Sequence, residues 1–200
     1  ELGAVYGLAV VPVPTHRPSK RIYVPDRIFD TEEEKWRCIA ERVAELNTMG
    51  TPVLLGTRSV AASEVASRLL GERGIEHKVL SAKQDHEEAD IVAAAGDLGR
   101  ITIATNMAGR GTDIKLGPGV EELGGLHVIL SERHEAGRID RQLGGRCARQ
   151  GDPGHFEAIL SLEDPVVLPF RGGLLEWLLR RFIRRDGPQA QAAKKRFIDY

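Results

Sequence analysis

Short apolar runs, several without polar alternation, recur along this chain, and stretches of helical periodicity separate them. Residues 8–13, 53–55, 75–80, 101–104, 126–130 and 156–160 read as six strands. Runs without a polar face suit strands buried on both sides. Between them, Trp36, Ile39, Ala40, Val43 and Leu46 fall at helical spacing over residues 32–46, with Asp30 or Thr31 as N-cap and an acidic first turn that suits the helix dipole. Ser59 caps a second helix ending near Gly74, Asp85 opens a third that closes at Gly96, and residues 135–149 make a fourth. Such β-α-β-α alternation predicts an α/β fold with a parallel sheet and helices on both faces.

The 200 residues fit one domain with an appendage. The composition, 42% hydrophobic and 28% charged, excludes a disordered tail, and aromatics at 5% leave the packing to aliphatic side chains. Cys38 and Cys147 stand far apart with no CxxC pair or Cys/His cluster, which argues against a disulfide scaffold or a zinc module. No apolar run approaches the roughly 20 residues of a membrane span. The opening residues carry no signal-peptide pattern, so the expectation is an excised piece of a larger cytosolic protein.

Charge is segregated. Residues 171–200 carry eight Lys/Arg against three Asp/Glu, which leaves a net of -6 for residues 1–170. The expected division is therefore a body over 1–170 and a basic helical extension over 171–200. A solvated helical flank accounts for the tail, and an anionic membrane surface is a partner it would suit. The acidic body argues against nucleic acid, whose binding is largely phosphate neutralisation.

Two stretches carry chemistry. Residues 102–114 read as a buried strand running into a loop with Gly109, Arg110, Gly111, Thr112 and Asp113. Ligands in open α/β sheets bind at such carboxyl-end loops. Glycines let backbone approach a ligand, Arg110 offers a planar donor fork for phosphate, and Asp113 offers an acceptor for a hydroxyl or an arginine. In the second stretch Arg138, Gln142, Arg146 and Arg149 share one face if residues 135–149 are helical, and arginines so placed can neutralise charge on a phosphoryl group in transfer. Gly144-Gly145 signals close backbone contact or an early end to that helix. His77 and His134 read as structural hydrogen-bonders, and Cys147 as a packed thiol. No G-x-x-x-x-G-K-[ST] motif and no magnesium-binding acidic pair occur, so the chain alone should not hydrolyse ATP and should form one wall of a nucleotide cleft.

Residues 102–114, together with Leu123-Gly124-Gly125-Leu126, Glu132-Arg133-His134-Glu135, Arg138-Ile139-Asp140, Gln142-Leu143, Gly145-Arg146, residues 149–154 and Leu160-Ser161-Leu162-Glu163-Asp164, resemble the second nucleotide-binding domain of the SecA family of bacterial preprotein translocase ATPases. Residues 11–18, 52–57 and 74–80 extend the resemblance, with 53–59, 102–114 and 142–149 similar to superfamily-2 motifs IV, V and VI. It implies a RecA-like, P-loop NTPase-like second motor domain that closes over ATP and Mg2+ held mainly by the first nucleotide-binding domain. Arg110, Arg146 and Arg149 would then be the catalytic γ-phosphate sensors or arginine fingers. Asp113, Gly109, Gly111, Thr112 and Gln142 would face the nucleotide. The implied partners are a preprotein and a SecYEG-type channel, and the implied location is the inner face of the cytoplasmic membrane. Gly144 where the family has arginine, and Cys147-Ala148 in place of Ser-Gly, leave two readings open, an accessory paralogue and the housekeeping translocase. The alternatives are the second domain of an RNA or DNA helicase, or an interaction module whose nucleotide motifs survive as fold supports.

Overall fold

The computed structural model describes residues 3, 6, 7, 9, 11, 13–80, 90–105 and 112–165. In chain order the elements are β1 (Lys20–Tyr23), β2 (Arg27–Phe29), α1 (Glu32–Thr48), β3 (Val53–Thr57), α2 (Val60–Glu72) and β4 (Lys78–Leu80). A short 3-10 turn (Ala94–Gly96), β5 (Ile101–Thr105), β6 (Leu126–Leu130), α3 (Gly137–Gly144) and β7 (Pro153–Ser161) follow. The strands form one parallel sheet in the order β1-β7-β6-β3-β5-β4, and β2 pairs with β7 beyond the end of β1. Lys20 stands opposite Pro153 and Phe29 opposite Ser161, so the nine residues of β7 are edged by two short strands in succession.

Strand parity explains the continuous apolar runs. Val53, Leu55, Ile101, Ile103, Ile129 and Ile159 face one side, where Trp36, Ile39, Val43 and Leu46 of α1 and Ala62, Ala66 and Leu70 of α2 cover them. Leu54, Ala104, Leu126, Val128, Leu130, Phe156, Ala158 and Leu160 face the other, under Val92, Ala95, Ile114, Leu143 and Cys147. Each large aliphatic or aromatic side chain fully buried in these layers contributes about 1.5–3 kcal/mol.

The helix starts follow local chemistry. Thr31 accepts from the Glu34 amide at 3.3 Å, and Ser59 from the Ala62 amide at 3.1 Å, so each hydroxyl satisfies an amide the first turn leaves open. The helix expected to close at Gly96 is present from 90–93 into the 3-10 turn, while its start lies outside the described residues.

Three expectations need correction. The run at 8–13 is no strand at its described positions, and Val11 and Val13 are exposed. β1, mostly exposed, and β2, three residues long, stand where the sequence carries no strand signal. The fourth helix ends at Gly144, five residues short of Arg149, because Gly145 caps it and Ala148 and Gln150 then adopt φ values of 54° and 52°. The basic extension over 171–200 lies outside the described residues. Among the described residues no helix is long and apolar enough to cross a membrane.

Candidate functional site

Because every sheet pairing is parallel, the segments that follow the strands gather at one edge, and the two chemical stretches meet there. α3 sits close on the sheet because β3 offers Gly56: a Cβ at that position would overlap the Leu143 methyls. The turn after α3 then projects Arg146 and Arg149 toward the segment that follows β5.

Arg146 is 8% exposed, and its Nη1 donates to the Thr112 carbonyl at 3.2 Å. Arg149 Nη1 donates to the same carbonyl at 3.4 Å and to Asp113 Oδ1 at 2.6 Å, while its Nε donates to the Gly145 carbonyl at 2.9 Å. Burial, then the neighbouring Arg149 cation, lowers the Arg146 pKa. Both guanidiniums donate to one carbonyl, and Arg149 also donates to the Asp113 carboxylate. Such a cluster suits a ligand carrying several negative oxygens.

Thr112, Asp113, Arg146 and Arg149 are thus brought together. Gln142, exposed on α3, lines with Arg146, Leu143, Thr105 and Ile114 a cavity of about 20 Å³, room for roughly one water. Arg138 is exposed and stands outside this group, since its helix ends before the arginine pair. Gly109, Arg110 and Gly111 lie outside the described residues. His134 Nδ1 pairs with Asp140 Oδ1 at 2.7 Å, and His77 bridges Ser67 Oγ and the Ile75 carbonyl, both structural roles as expected. Cys147 is buried, and that burial pushes its thiol up.

Sequence reasoning missed three polar centres. Lys35, fully buried on α1, places Nζ 2.6 Å from Asp164 Oδ1, and the Ser161 amide donates to Asp164 Oδ2 at 2.9 Å. Burial pushes Asp164 up to about 6 despite the lysine. Beside them Glu132 is also buried, and its carboxyl is pushed up for the same reason. Glu157, in the middle of β7, accepts from His127 Nε2 at 2.8 Å, Arg42 Nε at 3.0 Å and Arg27 Nη2 at 3.1 Å. The third is Arg133, which joins Asp26 at 2.8 Å to Asp140 at 3.4 Å. The available signal was a charged residue on an apolar stripe: Lys35 shares the 35-39-43 spacing, and His127 and Glu157 interrupt the runs of β6 and β7.

The chain matches the SecA P-loop domain family over residues 18–122 and 118–187. It is 55% identical over 188 residues to "Protein translocase subunit SecA 2" of Bordetella avium, covering 94% of this chain and 28% of that protein. It is 48% identical over 192 residues to "Protein translocase subunit SecA" of Nitratidesulfovibrio vulgaris, covering 96% and 23%. The chain therefore spans about a quarter of the length of these relatives. Among solved structures, the E. coli DEAD-box protein SrmB bound to regulator of ribonuclease activity A aligns with a TM-score of 0.56 at 19% identity, over 78% of this chain and 84% of that one. That likeness establishes a RecA-like fold.

Proposed function

The chain belongs to the SecA family, and from that premise we propose that it forms the second nucleotide-binding lobe of an ATPase motor that couples ATP hydrolysis to moving preproteins across the cytoplasmic membrane. The observation that carries this reading is the convergence of Arg146 and Arg149 on Thr112 and Asp113 at the carboxyl edge of the parallel sheet.

The residues present fit the outer half of a nucleotide. The arginine pair brings two guanidiniums side by side at the cleft edge, and Asp113 offers an oxygen for a sugar hydroxyl. On this reading Mg2+ is held mainly by the first lobe. When ATP is bound there, its γ-phosphate supplies the phosphoryl group transferred to water. Arg146 and Arg149 then offset the negative charge that grows on that group, and Arg110 is assigned the same work. Arg146 is already desolvated, so its attraction for phosphate is less screened than that of a surface arginine.

The chain carries no phosphate-cradling lysine motif and is inactive alone on this reading; hydrolysis needs the first lobe of the same polypeptide. Closure of the two lobes would drive preprotein through a SecYEG-type channel, with the motor held at the inner membrane face. The test is ATP hydrolysis by the full-length protein with and without channel-containing membranes, wild type beside Arg146→Ala. Removal of a group with an arginine-finger role lowers kcat by on the order of a thousandfold. An Arg146→Ala protein with wild-type turnover, or stimulation by single-stranded RNA and not by membranes, would overturn the reading.

A further inference from the structure

The turn that carries the arginines holds itself in a costly conformation. Ala148 and Gln150, both with side chains, adopt φ values of 54° and 52°, a region that L-residues occupy only where the surroundings over-determine them. Two hydrogen bonds come from within the turn: Arg149 Nε to the Gly145 carbonyl and the Asp152 amide to the Arg149 carbonyl, both 2.9 Å. Others arrive from more than a hundred positions upstream. Arg21 Nη2 donates to the Cys147 carbonyl at 2.9 Å, and Arg17 Nη1 donates to the Gln150 carbonyl at 3.4 Å.

Arg21 belongs to β1, whose Lys20 pairs with Pro153 just past the turn. Six residues after Lys20, Asp26 holds Arg133, and Arg133 holds Asp140 in the first turn of α3. The segment from Arg17 to Asp26 therefore grips the arginine-bearing element at both ends. Arg21 is part-buried, and its Nε is buried with no hydrogen-bond partner among the described residues. Its guanidinium plane is thus set by the Cys147 carbonyl and the Tyr23 hydroxyl, 3.4 Å from Nη1.

We propose that Arg21 is a positioning residue for the arginine pair: from β1 it fixes the strained 147–150 backbone, and so couples the strand leading into the domain to the aim of Arg149. The proposal rests on the nucleotide-lobe reading above. A shift of β1 relative to β7 would move the Cys147 carbonyl and with it the neighbouring guanidinium, so strain on the leading strand becomes a control on turnover.

The experiment is steady-state ATP hydrolysis by the full-length protein carrying Arg21→Gln, Arg21→Lys or Arg146→Ala, with thermal unfolding of each. Arg21→Gln should lower kcat about tenfold or more with KM for ATP nearly unchanged, since small misplacements of catalytic groups cost up to about a hundredfold. Arg21→Lys, which keeps one charged donor, should recover part of that loss, and the unfolding midpoint should stay near wild type. If Arg146→Ala abolishes turnover while Arg21→Gln keeps it, the positioning role is wrong and the nucleotide reading stands. If Arg146→Ala turns over normally, the nucleotide reading itself fails. A fall in kcat that tracks a lower unfolding midpoint in both Arg21 variants would make Arg21 an ordinary structural residue and overturn the proposal.

Discussion

Arg149 Nη1 lies 2.6 Å from Asp113 Oδ1, so a residue of the turn after α3 is paired with one in the loop after β5. The pair makes one cluster of two segments that the chain keeps 36 positions apart. Asp113 has two duties on this reading, holding Arg149 and offering an oxygen to the nucleotide. Asp113→Ala in the full-length protein should weaken ATP binding by about tenfold, the usual scale for losing a charge-assisted hydrogen bond. Titration with a fluorescent ATP analogue checks this, and unchanged affinity would remove Asp113 from the site.

Acid should loosen the α1 face through Glu157. Burial pushes this carboxyl up, but the His127 hydrogen bond and charge and the Arg27 and Arg42 guanidiniums outweigh it, holding the pKa at about 2 against an ordinary 4.5. A depressed acid stabilises the fold above its unfolded pKa, and that contribution is lost as pH falls from about 4.5 to about 2. The difference amounts to roughly 3 kcal/mol. Urea midpoints at pH 7 and pH 3 should therefore differ more for the wild type than for Glu157→Gln.

Lys35 and Asp164 carry the opposite sign. With the Asp164 carboxyl raised from 3.8 to about 6, its contribution to stability declines as pH rises across that window. Lys35→Met leaves a buried carboxylate without its cation, a change that costs about 3–5 kcal/mol. The loss should be larger at pH 8 than at pH 5, where the carboxyl can take a proton. Adding Asp164→Asn should recover most of it, as read from unfolding midpoints.

Ala148 stands in a backbone conformation suited to glycine. Ala148→Gly removes about 1–2 kcal/mol of left-handed strain and adds the unfolded-state entropy of glycine, roughly 0.4–1 kcal/mol. Those two effects favour glycine by about 0.5–1 kcal/mol, loss of the buried Ala148 methyl takes back about 0.8 kcal/mol, and the unfolding midpoint should stay near wild type.

The centre of the sheet was legible because β3, β5 and β6 are covered on both faces, and such strands leave uninterrupted apolar runs. The helix starts were legible because Thr31 and Ser59 solve a local problem, the unpaired amides of a first turn. β1 and β2 were not legible. β1 is largely exposed at the sheet edge, β2 is three residues long with Ile28 alone buried, and only the distant β7 makes them strands. The arginine pair was found by residue type and by resemblance, but on a mistaken geometry. A continuous helix was to align Arg138 with Arg146 and Arg149, whereas a glycine-ended helix and a strained turn bring only the last two to Thr112. The brace from Arg21 depends on tertiary pairing across 126 positions, which no local pattern announces.

The edge of the sheet has a mechanical consequence. Because β1 runs parallel to β7, tension applied at Lys20 along the strand axis loads the β1 hydrogen bonds side by side, in shear, rather than peeling them one after another. A pull on the leading chain is then carried as a row across to residues 153–156 of β7, where Gly154 lies close under Cys147 and Ala148 of the arginine turn.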